Sequence, residues 1–308
     1  QKALELGNVD ANYYLGSLIY NYAYPEQDYE AAKAFFEACP ENPYAQIELG
    51  IMYINGEPVE KDVEKARAMF QAVIDQGYPE GYYGLADIAK DELDYATAYE
   101  YLEKTLEGTQ QEILAWANND IGYMYNNAQG VEKDPAKAME WYEKGAALGS
   151  ISSLNNIAHH YAFVQEEPDY TKAMEEFEKA AALGSGAAMH NIGYLYQNGF
   201  GVEVDHGKAM EWFLKSAEVD YSHGIMWIGY TYHQGIGVEP DYAKAMEWYE
   251  KAAELDDKDA INQIGMMYYD GTAGEVNYTK AIEYFDKAAE LGLEVAEQNA
   301  KILRDAGY

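Results

Sequence analysis

The sequence predicts an all-α fold, a solenoid of about eight antiparallel helix pairs, and two recurring landmarks carry that prediction. Leu or Ile followed by Gly or Ala recurs with its small residue at Gly16, Gly50, Ala86, Gly122, Ala158, Gly193, Gly229 and Gly265, at spacings of 34, 36, 36, 36, 35, 36 and 36 residues. An Asp or Asn opens a second run at Asp28, Asp62, Asp94, Asp134, Asp169, Asp205, Asp241 and Asn277, typified by Asp-Tyr-x-Lys-Ala-Met-Glu-Trp-Tyr-Glu-Lys-Ala-Ala. A fixed period of this length marks a repeat array, in which one unit cannot bury its apolar face alone and neighbours must stack.

Each repeat begins with a helix, A, whose small and apolar residues fall at offsets −5, −1, 0 and +3 from the landmark, which is one helical face. The repeats start near residues 11, 45, 81, 117, 153, 188, 224 and 260, filling a single array over 11–292, with 1–10 read as the end of a truncated preceding repeat and 293–308 as a capping helix. Helix B starts at the Asp, whose carboxylate can accept from free N–H groups of the first turn. Pro135 after Asp134 suits the first helical position. Lysines three residues on (Lys65, Lys137, Lys172, Lys208, Lys244, Lys280) can reach back along the helix, each pair contributing about 0.2–0.5 kcal/mol. Gly56, Gly199, Gly201, Gly235 and Gly237 supply the positive φ that ends helix A, and Gly77, Gly149, Gly184 and Gly292 end helix B. Val59, Val131, Val202 and Val238 are expected to tuck the interhelical loop onto the core.

Repeat 3 departs from the pattern: Ala86 to Asp94 spans 8 residues where the others have 11 or 12, and the missing length reappears around 107–111. A change of superhelical curvature is expected there. Repeat 1 is weaker, with Ala31 where the helix-B lysine should be and Cys39-Pro40 near its end.

Composition excludes several classes. With 48% hydrophobic residues in 308, the chain can bury substantial apolar surface. A net charge of −33 repels phosphate backbones and anionic membranes, so nucleic acid is a poor partner. One cysteine, Cys39, makes neither an internal disulfide nor a zinc-finger framework. No run approaches the roughly 18 apolar residues a membrane span needs. The chain opens on Gln1 rather than Met, which reads as a fragment whose compartment is illegible.

Catalytic chemistry finds no foothold. Cys39 is far in sequence from every histidine, no nucleophile elbow is present, and Gly199-Phe-Gly-Val lacks the lysine and strand context of a phosphate loop. The tyrosines three after the landmark (Tyr53, Tyr125, Tyr161, Tyr196, Tyr232, Tyr268) read as packing residues. Trp141, Trp212 and Trp248 on helix B, with Phe177 and Tyr284 taken as in register, read as core. Five of six histidines lie on the A helices of repeats 5–7, yet no H-E-x-x-H or i, i+4 pair accompanies them. No metal, no cofactor and no catalytic residue is expected.

The stretches Asn191-Ile-Gly-Tyr-Leu-Tyr-Gln-Asn-Gly-Phe-Gly-Val-Glu-Val-Asp and Asp241-Tyr-Ala-Lys-Ala-Met-Glu-Trp-Tyr-Glu-Lys-Ala-Ala-Glu-Leu resemble the Sel1-like repeat family, a relative of tetratricopeptide repeats. The resemblance implies a right-handed α–α superhelix with A helices lining a concave groove, a bacterial source, and a noncatalytic scaffold that binds a partner protein or peptide. It also implies that offsets −6, −3, +1 and +4 face the groove. Those columns nominate Trp116, Asn119, Tyr123, Asn155, His159, His190, Tyr194, His223, Met226, Tyr230, His233 and Asn262 as partner-binding residues. Asparagines there can hold an extended backbone, since each amide donates and accepts. Histidines at the ordinary pKa near 6.5 would make affinity pH-dependent. Lys90 is the evident basic residue in these columns, so a carboxylate clamp is not expected and a neutral or basic partner segment fits better. The alternative is a small-ligand or cell-envelope polymer binder, which stacked Tyr and Trp with Asn would also serve.

Overall fold

A computed structural model describes residues 10–22 and 28–308, so the expected remnant of a preceding repeat at 1–10 lies, save for Asp10, outside the described residues. Among those described there are 17 α-helices and no strand. The chain divides into two compact bodies, residues 1–160 and 161–308. The first contains α1 (Asp10–Tyr22), α2 (Tyr29–Glu37), α3 (Pro43–Asn55), α4 (Val63–Asp75), α5 (Gly81–Asp91), α6 (Tyr95–Thr105), α7 (Gln111–Asn127), α8 (Pro135–Ala147) and α9 (Ile151–His159). After a π turn over His160–Val164, the second contains α10 (Tyr170–Ala182), α11 (Gly186–Asn198), α12 (His206–Glu218), α13 (Ser222–Gln234), α14 (Tyr242–Glu254), α15 (Lys258–Asp270), α16 (Tyr278–Glu290) and α17 (Glu294–Asp305). The all-α, helix-pair class read from the sequence is the class observed.

The helix-B cap is the most regular feature. In all eight repeats the Asp or Asn carboxylate or amide Oδ1 accepts from the N–H three residues on, at 2.9–3.2 Å. Its own N–H donates to the carbonyl of Tyr53, Tyr125, Tyr161, Tyr196, Tyr232 or Tyr268 at 2.8–3.0 Å, so one residue starts helix B and ties it to the end of helix A. The lysine three positions on rests over the ring of that same tyrosine, 4.0–5.3 Å from its centroid. In four repeats it also pairs with the capping Asp at 3.2–3.8 Å. These exposed pairs contribute little singly.

The core is built on a residue eight positions after the cap: Phe36, Phe70, Leu102, Tyr142, Phe177, Phe213, Tyr249 and Phe285, each at most 3% exposed. In six repeats that ring packs directly against the landmark glycine. A Cβ on Gly16, Gly122, Gly193, Gly229 or Gly265 would stand 2.6–2.7 Å from a ring carbon, closer than side chains pack. Repeat 3 has Ala86 at the landmark and the smaller Leu102 opposite, both fully buried in one cluster. The tryptophans expected in the core sit one position earlier than these rings. Trp141, Trp212 and Trp248 are half-buried, with Lys144, Lys215 and Lys251 3.5, 3.8 and 4.1 Å above their faces. Phe177 belongs to the buried ring register, not to theirs.

The loops follow expectation with one exception. The glycines expected at positive φ have it, from 68° to 93°. Val59, Val131 and Val202 are half-buried, whereas Val238 is 38% exposed and does not tuck in. Repeat 3 turns tightly from α5 to α6, with Leu93 at φ 62°. Its displaced length is clasped by Glu80, a buried carboxylate whose Oε1 accepts from the N–H of Thr109 at 2.7 Å and of Gln110 at 2.9 Å. At the other end α17 packs on α16, with Lys301 standing 36 residues after Gly265 where a landmark glycine would be.

The ring-on-glycine contact predicts a coupled pair of substitutions. Gly193→Ala gains up to about 1 kcal/mol of helix propensity but crowds Phe213, an overpacking cost of about 1–3 kcal/mol. Denaturant unfolding should therefore show net destabilisation. Gly193→Ala/Phe213→Leu, which writes in the natural pair of repeat 3, should be less destabilised than the two single changes added together. Strict additivity would disprove the contact.

Candidate docking surface

In the second body the A helices α11, α13 and α15 bring together four of the nominated residues and several the columns did not name. His190 and Tyr194 on α11 face Trp227 on α13, with ring centroids 6.0 and 5.5 Å apart. Trp227 stacks on Phe213 at 5.8 Å and meets Tyr230 edge-on at 5.1 Å. His190 also touches Phe213, Tyr221 and His223 at 5.9, 6.1 and 6.4 Å. Phe163 and Phe200 flank Tyr194 at 6.3 and 6.0 Å. Tyr194, Trp227 and Tyr230 remain partly exposed, so the cluster presents an aromatic surface held rigid from beneath by Phe213.

An ion pair closes one side. His223 Nδ1 is 3.0 Å from Asp257 Oδ2, and its Nε2 is 4.0 Å from Asp259. The Asp257 side chain is fully buried and caps α15 by accepting from the Ala260 N–H at 2.9 Å, so the pair ties the start of α13 to the start of α15.

The remaining nominated residues are placed differently. His233 turns toward helix B, 3.4 Å from the Tyr249 hydroxyl, and Met226 packs against the core beneath. Asn262 Oδ1 accepts from Asn299 at 3.3 Å. In the first body Trp116 packs on Tyr83 at 5.7 Å, and Asn119 Oδ1 accepts from Asn156 at 2.9 Å and Ser153 at 3.3 Å. Tyr123 and His159 are exposed there, and Asn155 is half-buried. Lys90 is held between Asp120 and Asp87 at 2.5 and 2.6 Å, so this cation is already neutralised. Among the described residues no three His, Cys, Asp or Glu side chains converge as a metal site, and no helix is long and apolar enough to cross a membrane.

One rule explains several of these placements: a residue at −3 contacts the residue at −2 on the next A helix, 37 positions on. Tyr83/Asp120, Asn119/Asn156, His190/Trp227 and Asn262/Asn299 all obey it. Trp227 escaped the column reading because it sits at −2, and pairing the columns at a 37-residue offset would have found it.

The Sel1 repeat profile matches eight segments, residues 9–38, 43–78, 81–108, 117–150, 152–185, 186–221, 222–257 and 258–293. The chain belongs to the Sel1 repeat family. Among solved structures it is similar to a protective antigen present in uropathogenic Escherichia coli strains and displaying an SLR fold, at 32% identity and TM-score 0.55. That match covers 97% of this chain and 64% of the antigen, so the chain spans less than two thirds of that relative's length. It is also similar to a Sel1 repeat protein from Oxalobacter formigenes at 25% identity and TM-score 0.54, covering 92% of this chain and 100% of the other. No curated protein sequence matches it. Sel1 repeats generally mediate protein–protein interactions and are typically noncatalytic.

The histidines of this Sel1 chain do not titrate together, contrary to the reading that gave them ordinary pKa values. Burial pushes His190 down to about 4, assisted by the nearby His223 charge. Burial also lowers His159, His160 and His233. His223 alone is raised, chiefly by its hydrogen bond to Asp257. Burial would raise Asp257, but the His223 contact and the helix N–H outweigh it and hold the carboxyl below its usual range.

Opposite pH dependences follow. His190, depressed when folded, resists protonation, so stability is lost as pH falls from 6.5 through 4, by roughly 3 kcal/mol for a shift of this size. His223, raised when folded, contributes stability that is full below 6.5 and lost as pH rises through its folded pKa. In urea unfolding across pH, His190→Gln should flatten the acid limb relative to wild type, and His223→Gln the limb above 6.5. Parallel curves for all three proteins would refute the assignment.

Proposed function

We propose that the protein is a noncatalytic interaction scaffold whose A-helix face in the second body docks an extended segment of a partner protein. The cluster of Tyr194, Trp227 and Tyr230 over Phe213 carries this reading. Rigid aromatic rings bury large area at low entropic cost, and such residues dominate interface energetics. The −3 asparagines serve a different part in this reading from that read in the sequence. Asn119 and Asn262 have their carbonyl oxygens engaged with the next A helix, and the Asn119 amide also donates to Asp120 at 3.4 Å, so backbone capture falls to the amide N–H group of Asn262 and to the tyrosine hydroxyls. Exposed Tyr123 and His159 mark the corresponding face of the first body.

The partner segment is neutral or basic. Lys90 is held by two carboxylates, and Asp259 adds a partly exposed negative charge beside His223. The net charge of −33 accelerates encounter with a cationic partner and makes it salt-sensitive.

Selection of a displayed random peptide library on the immobilised full chain tests the reading. Trp227 stacks on the core, so the informative variant is Tyr194→Ala/Tyr230→Ala, which removes surface rings and spares Phe213. Peptides selected by wild type should bind the variant at least ten-fold more weakly, about 1.4 kcal/mol, at unchanged helical circular dichroism. Equal binding, or displacement of the peptides by peptidoglycan oligosaccharides, would overturn it and favour the glycan alternative.

A further inference from the structure

A second recessed site lies on the helix-B side of the same body. Helices α12 and α14, with the start of α13 as floor, enclose a cleft of about 470 Å³. Its apolar walls are Leu214, Leu255 and the indole of Trp248, and its rim carries the carboxylates of Glu218, Asp220 and Glu254. Lys251 is the one cation among its lining residues, and its ammonium already rests 4.1 Å above the Trp248 ring.

Repeat register separates what is special here from what is general. A lysine over a helix-B tryptophan recurs at Lys144/Trp141 and Lys215/Trp212, so that pair is part of the frame. One other lining residue breaks its column. Nine positions after the cap the repeats read Glu37, Gln71, Glu103, Glu143, Glu178, Leu214, Glu250 and Asp286, so Leu214 alone is apolar where seven repeats have a polar side chain. It remains 39% exposed at the mouth of the cleft, and its departure serves no core contact. Fifteen positions after the cap, Gly77, Gly149, Gly184 and Gly292 hold φ between 82° and 93°, whereas Asp220 and, in repeat 7, Asp256 occupy the same left-handed turn at φ 49° and 54°. A carboxylate in this conformation replaces the residue that adopts it without strain. Leu214 is thus the departure found in this repeat alone, and Asp220 adds a carboxylate beside it in the lining of the same cavity.

We propose that this cleft receives an arginine side chain from a basic segment of a partner protein. A guanidinium is weakly hydrated, stacks on indole, and presents a planar fork of donors to carboxylates, while its methylene stem needs an apolar wall. Trp248 with Leu214 and Leu255 supplies the wall and the stacking face, and Glu218, Asp220 and Glu254 supply three charges against the single Lys251. Lys251 competes for the indole face, so the incoming arginine displaces it toward the rim carboxylates. The site is separate from the A-helix surface and stands or falls independently of it.

The test uses the full-length chain and the acetylated, amidated tripeptide Ala-Arg-Ala, with lysine, citrulline and norleucine in place of arginine as controls. The readout is the ¹H–¹⁵N indole resonance of Trp248, assigned with Trp248→Met, since repeat 2 carries Met69 at that register. The arginine peptide should shift this resonance saturably, more tightly than each control, and less tightly at high salt. Leu214→Gln, which installs the side chain of repeat 2, and Glu218→Gln/Glu254→Gln should each weaken binding at least three-fold. Lys251→Met should strengthen it at least two-fold. No saturable shift with the arginine peptide, equal binding of any control, or affinities unchanged in the variants would overturn the proposal.

Discussion

Everything else in this protein depends on an aromatic ring lying on a bare Cα. In six of the eight repeats helix A has no side chain at the landmark position, and the helix-B ring eight residues past the cap fills the space a Cβ would take. The contact sets the separation of the two helices, because close-packed interiors respond to a single methyl group. Once that separation is fixed, the cap can donate to the last turn of helix A, and the helix-B lysine can reach the tyrosine ring beside it. Cap, lysine and ring are therefore consequences of one spacing and not independent stabilising features. Repeat 3 shows the same rule met with other volumes, Ala86 against Leu102.

Between repeats a different rule operates. A helices meet through the −3 to −2 contact, and its chemistry varies from asparagine pairs to a tyrosine–aspartate bond to a histidine on tryptophan. The frame leaves this contact free to vary because its geometry is already set by the helix pairs. Polar versions consume hydrogen-bonding capacity that a column reading assigns to a ligand. The aromatic version at His190/Trp227 leaves hydrophobic area partly in view. The same residue type in the same column thus has different availability according to its neighbour 37 positions on.

This explains what the sequence could and could not convey. Helix A, helix B, the helix-B caps and the glycine stops were legible, because each rests on local hydrogen bonding or φ preference that one residue reveals. The identity of the buried ring was less so: Trp141, Trp212 and Trp248 attracted attention by size, while the neighbouring position does the packing. Glu80 was invisible, since its partners Thr109 and Gln110 lie about thirty residues away in the one irregular stretch. Trp227 and Asp257 were missed for a related reason, as their significance comes from contacts on adjacent helices. The shifted histidine pKa values follow suit, because burial and the Asp257 charge are properties of the packed repeat pair.

In a repeat protein, conformity to the pattern reports on the frame and departure reports on use. The second body holds three departures that lie on its surfaces or between its helices: an indole at −2, the Asp257 cap with its buried carboxylate paired to His223, and Leu214 in a column of polar side chains. None improves the ring-on-glycine core, which is as complete in repeat 8 as in repeat 6. Two of them carry a cost that the frame does not require, a buried carboxylate needing a protonated partner and an apolar side chain kept in solvent. Costs of this kind persist when something outside the frame is served by them. On this ground the surfaces of α11 to α15 are the ones we propose for partner contact, with the other repeats supplying rigidity and charge.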